Sequence, residues 1–302
     1  MIITFLGTAA SSPTATRGLP SVAVRRKDQL FLFDCGEGTQ RQIIIARIGL
    51  ISELKIFVSH IHGDHVLGLP GLFQSMSLFN RTAPLKLYGP TGLGDFVKTF
   101  LDSPKFSLTF PIEIREVDEG IIYSEKEYLI KTAWVEHTIP TLAFAIIENQ
   151  RPGIFYPERA EALNIPKGPL WSKLQKEGKI NLGRKIIRSD QVTGPPRSGR
   201  KVVYSADTRP CESILKLAEE ADVLIYEATF DDKLSKKANE MYHSTPSQAA
   251  KIAKEANVKR LILTHIGGRY FNSEKLLEKA RLIFPKIDVA EDFMEIEVLY
   301  TD

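Results

Sequence analysis

Short apolar runs closed by turn residues set the rhythm of the first half of the chain. Residues 2–6, 21–25 and 30–34 are rich in β-branched and aromatic side chains, and Gly7, Pro13, Gly18-Leu19-Pro20 and Lys27-Asp28 separate them. Each therefore reads as a strand. The period changes near Thr39, an N-cap candidate followed by apolar Ile43, Ile44 and Ile48, and a helix is expected there. Strand-like Leu54-Lys55-Ile56-Phe57-Val58 comes next, then a helix over 69–79, a strand over 85–88 and a helix over 93–101. Two or three further strands lead to Ala133-Trp134-Val135-Glu136-His137. Strands alternating with helices, mixed with antiparallel-style runs, predict a layered α/β or α+β architecture.

From about 154 to 194 that rhythm fails. Gly153, Pro157, Pro166-Lys167-Gly168-Pro169 and Pro195-Pro196 interrupt the chain, and only two helix-like pieces remain, over 157–163 and 170–177. With no core of its own evident, this stretch reads as an arm inserted into one domain spanning 1–302, with 153–194 as the arm. The compact pattern resumes afterwards. A strand over 201–205 delivers Asp207, a helix spans about 212–221, and a strand over 223–226 delivers Glu227. Ser244 or Thr245 caps a helix opened by Pro246 that runs to about 256, and a strand over 260–263 delivers His265.

The polar positions that break this pattern carry the chemistry. Ser59-His60-Ile61-His62-Gly63-Asp64-His65 places three imidazoles and a carboxylate in six residues directly after a strand. As ordinary core such a group is costly, because every buried polar head needs a partner. Strand geometry carried through His60 and His62 points both side chains the same way. A turn at Gly63 then carries Asp64 and His65 to the far side of a small cavity. His60, His137, Asp207 and His265 all stand just past apolar strands, and five of the six histidines belong to this set. One divalent cation would take His60, His62 and His137, and a second Asp64, His65 and His265, with Asp207 bridging. Two such ions about 3.5–4 Å apart acidify a shared water and clamp the attacking and leaving oxygens of a displacement. Asp34 is a candidate to orient the imidazoles from behind.

Composition changes the picture in one place. The 302 residues are 43% hydrophobic and 25% charged, as in a globular protein, and no apolar run approaches the roughly 20 residues of a membrane helix. The start lacks a basic leader and a cleavage site, and Cys35 and Cys211 stand far apart without metal-like spacing, so a reducing cytoplasm is expected. Charge is uneven. Residues 167–201 hold ten lysines and arginines against two acids, a net +8, which leaves −5 for the rest of a chain whose total is +3. That asymmetry suits a segment that grips a polyanion.

With these residues in hand, the chain resembles the metallo-β-lactamase superfamily and, within it, the ribonuclease Z family. The resemblance runs nearly end to end: Phe5-Leu6-Gly7-Thr8, Phe33-Asp34-Cys35-Gly36-Glu37-Gly38-Thr39-Gln40-Arg41-Gln42, the histidine motif, Gly71-Leu72, Ser205-Ala206-Asp207-Thr208-Arg209, Glu227-Ala228-Thr229-Phe230 and His243-Ser244-Thr245. It implies a four-layer αββα sandwich with a flexible arm, two zinc ions (manganese being open to the same donors), and removal of the 3′ trailer from precursor tRNA. It also implies a homodimer in which one subunit's arm serves the other's active site. By the same resemblance Asp64 is ligand and base, His243 serves the leaving 3′-oxygen with Glu227 as its partner, and the arm holds the tRNA elbow. Pro166, Lys167, Gly168, Pro169, Lys173, Lys176 and Lys179 are then substrate contacts, with Arg17 near the cleaved end.

One departure stands out. The family often carries Pro-x-Lys-x-Arg-Asn in the first long loop; Pro13 and Arg17 match, but Ala15 replaces the lysine and Gly18 the asparagine. Cut position and the response to a CCA trailer are left open. Two alternatives also stand: a hydrolase of small esters or cyclic nucleotides on the same fold, which has no use for a basic arm, and a non-catalytic RNA-binding paralogue, which would be expected to lose ligands.

Overall fold

In the computed structural model, residues 1–49, 53–103, 107–270 and 273–300 are described. They form two compact units, one within 1–147 and 201–299 and the other of 148–200 with Tyr300.

The first unit is built on two seven-stranded sheets. The strands Ile2–Gly7, Ser21–Arg26, Gln29–Phe33, Glu53–Phe57, Leu85–Gly89, Ile112–Glu116 and Glu295–Glu297 make one. The strands Gly120–Ser124, Tyr128–Val135, Thr141–Glu148, Lys201–Tyr204, Val223–Glu227, Leu261–Thr264 and Ile287–Val289 make the other. Each has a parallel half: Gln29–Phe33 through Ile112–Glu116 in the first, and Lys201–Tyr204 through Ile287–Val289 in the second. Parallel strands are covered on both faces, which is why Gln29–Phe33 reads as an almost unbroken apolar run.

Side-chain alternation along that strand assigns the layers. Phe31 and Phe33 pack with Phe57 and Tyr88 against Tyr128, Phe144 and Tyr204 of the other sheet, so the aromatic core lies between the sheets. Leu30 and Leu32 face the other way, onto Ile43, Leu72, Phe73 and Val97 of the helices Thr39–Ile45, Leu69–Leu78 and Leu93–Leu101. The second sheet buries Val203, Leu224 and Leu263 under Ile214, Ala249, Ala253 and Leu277 of the helices Glu212–Ala218, Pro246–Glu255 and Ser273–Ile283. Helices, sheet, sheet, helices: the four-layer αββα sandwich expected from the sequence is the fold of this unit.

The second unit holds the helices Pro157–Ala162 and Pro169–Glu177 and the hairpin of Lys179–Leu182 with Lys185–Arg188. Contrary to the expectation of a coreless arm, it has its own small core of Ala160, Ile165, Leu174, Ile180, Ile187 and Val192. Phe155, Leu170, Trp171 and Leu182 pack around it. These apolar residues are scattered over four short elements and the segments between them, with Ile165, Val192 and Phe155 outside any of the four, so no single period joins them. The unit's boundaries, 148 and 200, also lie outside the 153–194 read from the prolines and glycines.

Candidate active site

The site forms where strands of both sheets end at their carboxyl sides, the usual place for function in open parallel sheets. Glu53–Phe57 ends three residues before His60, Tyr128–Val135 two before His137 and Lys201–Tyr204 three before Asp207, while Leu261–Thr264 runs directly into His265. The paired strand ends at Phe57, the His62 backbone is still extended at φ −70° and ψ 146°, and the turn at Gly63 is a short helix, Gly63–Val66, carrying Asp64 and His65. Ala206 and His265 at two of these strand ends, and Asp34 just past Gln29–Phe33, adopt the left-handed backbone region, with φ of 57°, 55° and 57°. Non-glycine residues pay for that conformation, and such strain collects at functional sites.

Two sets of donor atoms converge. His60 Nε2 lies 3.1 Å from His62 Nδ1, and His137 Nε2 lies 3.2 Å from the same atom. Asp64 Oδ2 lies 3.7 Å from His65 Nε2 and 3.5 Å from His265 Nε2. Asp207 Oδ2 stands between the sets. It is 3.9 and 4.0 Å from His60 and His137, and 3.4 and 3.3 Å from His65 and His265. All seven residues expected as ligands are therefore together, and both triads have the spacing of a cation site.

What holds the imidazoles also decides their tautomers. The Ser59 hydroxyl donates to Asp34, so its lone pair takes the proton of His60 Nδ1, 2.9 Å away. His65 Nδ1 donates to Asp34 Oδ2 at 2.7 Å and His137 Nδ1 to the Tyr242 carbonyl at 3.2 Å. The Thr229 hydroxyl donates to Glu227, which leaves its lone pair for His265 Nδ1 at 2.8 Å. Four imidazoles are thus anchored through the outward Nδ1 and turn Nε2 inward. Asp64 is fixed in turn by the Ser11 amide, which donates to Oδ2 at 2.9 Å.

Charge in the cluster is divided sharply. Burial lowers His60 well below the ordinary imidazole range. Burial would also lower His65, but Asp207 and Asp34 outweigh it and raise its pKa well above that range. Asp64 is held down to about 2: burial opposes this, and the nearby imidazoles of His265 and His65 prevail. His243, beside the triads, donates to Glu227 Oε1 at 2.7 Å; despite burial, that carboxylate raises its pKa to about 9. Glu227 is itself buried and accepts from the amides of Thr208 and Thr229.

The substrate residues expected from the sequence are placed differently. Pro166, Lys167, Gly168, Pro169, Lys173, Lys176 and Lys179 are all exposed on the second unit. Lys167 pairs with Glu161 at 2.7 Å and Lys173 with Glu177 at 3.9 Å, exposed pairs of little energetic weight. The Arg17 guanidinium is turned into its own unit, donating to Thr8 Oγ1 at 2.7 Å and the Ala290 carbonyl at 2.6 Å. A Cβ at Gly18 would stand 3.2 Å from Gln42 Nε2 and 3.3 Å from Asp292 Oδ2, so the loop is tight where the family pattern has asparagine.

A helix–sheet–sheet–helix sandwich with a five-histidine, two-aspartate cluster at its strand ends defines a hydrolase of the metallo-β-lactamase fold. Comparisons agree. Residues 192–266 match the beta-lactamase superfamily domain, and residues 1–103 match the anti-Pycsar protein Apyc1 family. The metallo-beta-lactamase fold protein YhfI from Bacillus subtilis superposes with a TM-score of 0.69 at 18% identity over 98% of each chain. More narrowly, ribonuclease Z of Methanosarcina acetivorans is 46% identical over 299 residues, covering 99% of this chain and 98% of that one. The short form of human tRNase Z superposes with a TM-score of 0.73 at 30% identity, covering 99% and 100%. The chain belongs to the ribonuclease Z family and is an endoribonuclease, a hydrolase.

Several functional neighbours were missed from the sequence. Ser59 stands beside His60 and Thr229 two residues past Glu227, so nearness in sequence was a usable signal for both. Tyr204, Ser11 and the Tyr242 carbonyl reach the site only through the fold.

Proposed function

We propose that this protein removes the 3′ trailer from precursor tRNA with the help of two divalent cations, leaving a 3′-hydroxyl on the tRNA. The observation that carries the metal reading is Asp207 Oδ2, within 4.0 Å of four Nε2 atoms from two separate triads. The residues fit such ions by a second test. His65 Nε2, His265 Nε2 and Asp207 Oδ1 are buried and make no hydrogen bond among the described residues, an expensive arrangement unless something else satisfies them.

His60, His62 and His137 would hold one ion, Asp64, His65 and His265 the other, and Asp207 both. Imidazole and carboxylate donors suit zinc and also admit manganese. Bound there, the ions would supply Lewis acidity toward a water and the scissile phosphate. Asp64, kept ionised, orients that water and accepts its proton. As the new oxygen–phosphorus bond forms, the bond to the 3′-oxygen breaks, and His243 delivers a proton to that oxygen. Glu227 holds the imidazole in the tautomer and charge state that make it a donor.

The first unit is the catalytic domain in this reading and the second its substrate arm. Lys167, Lys173, Lys176 and Lys179, with the turn Pro166–Pro169, would contact tRNA phosphates, which supply affinity and register. Arg17 would meet a phosphate near the cleaved end. The working form would be a cytoplasmic homodimer in which each arm serves the partner's site. Among the described residues no helix is long and apolar enough to cross a membrane.

Incubation with one precursor tRNA and zinc, the cut mapped to the nucleotide, tests the reading. Cleavage at the trailer junction is expected, and Asp207→Ala or His62→Ala should abolish it. Unchanged cleavage by either variant would overturn the metal mechanism.

A further inference from the structure

One buried carboxylate reaches both donor triads. Asp34 Oδ2 accepts from His65 Nδ1 at 2.7 Å, from Ser59 Oγ at 2.8 Å and from Tyr204 OH at 2.7 Å, and Asp34 Oδ1 accepts from the Ser59 amide at 2.7 Å. Asp34, His65 and Ser59 are fully buried and Tyr204 nearly so. The Ser59 hydroxyl has one hydrogen and spends it on Asp34, so its lone pair receives His60 Nδ1. His60 belongs to one triad and His65 to the other. By contrast, the other two triad imidazoles with Nδ1 anchors, His137 and His265, have partners separate from Asp34: the Tyr242 carbonyl and the Thr229 hydroxyl.

Asp34 itself needs holding. It sits just past the strand Gln29–Phe33 in a left-handed conformation, and its carboxylate rotates about a side-chain bond that its backbone does not fix. The hydroxyl that holds it comes from the other sheet, at the end of Lys201–Tyr204. We propose that Tyr204 is a positioning residue whose hydroxyl, acting through Asp34 and Ser59, orients one imidazole at each cation position and so ties the two affinities together. The inference rests on the two-cation reading above and goes beyond it, since that reading asks nothing of Tyr204.

Outer partners of metal-bound histidines change metal affinity by about 10–100-fold. The test is a zinc titration of the metal-free full-length protein against a chromophoric chelator, without RNA, resolving two binding steps. Tyr204→Phe keeps the ring and removes only the hydroxyl, and it should weaken both steps about tenfold or more. Ser59→Ala cuts the branch to His60 and removes one of the donors to Asp34, while the Ser59 amide and Tyr204 still hold that carboxylate, so it should weaken one step more than the other. A Tyr204→Phe protein with either step unchanged overturns the coupling, as does a Ser59→Ala protein with both steps lowered alike or neither lowered. Wild-type protein that takes up no zinc would end the two-cation reading itself, and this inference with it. Failure of trailer cleavage by zinc-loaded wild type would leave the coupling standing.

Discussion

His243 and Glu227 are where a single atom decides most. The carboxylate is buried, accepts two backbone amides and still faces the imidazole at 2.7 Å, so it has no role there that a neutral amide reproduces. Glu227→Gln keeps the shape, removes the charge and offers His243 a donor or a weak acceptor. It should lower kcat for trailer cleavage about 10²–10⁴-fold, the usual worth of a placed acid, with KM little changed. A single-turnover assay checks this, and wild-type kcat in the variant would remove His243 from the chemistry. Cys35, next to Asp34, answers to burial. Burial first, and the Asp34 charge after it, push its thiol from 9.0 up to about 12. A raised thiol pKa means the folded state prefers the protonated form, so its contribution to stability is complete below pH 9 and is lost as pH climbs toward 12. At pH 8 alkylation followed by mass spectrometry should label half-buried Cys211 first and reach Cys35 only on unfolding.

Among the elements, the short helix Gly63–Val66 carries two of the expected ligands, Asp64 and His65, on four residues, too few to hold its own position. It is held by close backbone approach. The Cys35 amide donates to the His65 carbonyl at 2.8 Å, and the Gly68 amide to the Cys35 carbonyl at 2.9 Å. A Cβ on Gly68 would stand 2.0 Å from the Gly36 carbonyl oxygen, and one on Gly36 would stand 2.4 Å from the Asp64 carbonyl oxygen. Backbone atoms cannot move aside as a flexible side chain does. Gly68→Ala should therefore cost about 1–3 kcal/mol in denaturant unfolding and lower the zinc content of purified protein. Full zinc occupancy with unchanged stability would mean the turn has slack that this packing denies. The helix after His243 is anchored differently: Thr245 and Gln248 form a reciprocal capping box with Pro246 in the first turn, which sets where the histidine's segment ends.

The whole molecule separates chemistry from reach. Every donor and every group that orients one lies in the unit 1–147 with 201–299, while the lysines expected to meet substrate lie in the other, which has a core of its own. A Cβ on Gly153 would fall 2.0 Å from the Gly194 carbonyl oxygen, so the chain closes on itself there. Joining 153 to 194 directly removes the second unit's core as one piece. The shortened protein should keep its kcat on a small phosphodiester and lose precursor-tRNA processing by orders of magnitude. Processing at the wild-type rate would show that the basic segment does not serve the substrate.

Much of this was legible from local pattern. The strand runs, the helix opened by Pro246 and the histidines placed just past strand ends are consequences of hydrophobic period and of polar residues where burial is costly, and both are properties of neighbours in sequence. The small core of the second unit was not legible, because six residues scattered over 160–192 form no period. Arg17 was readable as a cation but not as one already bonded to Thr8 and Ala290. Residue types and their spacing determined by themselves that imidazoles and carboxylates would gather at strand ends. Only the tertiary structure decided which proton each imidazole keeps and which carboxylate it leans on, because Tyr204 and Asp34 lie 170 residues apart and meet only when two sheets close on each other.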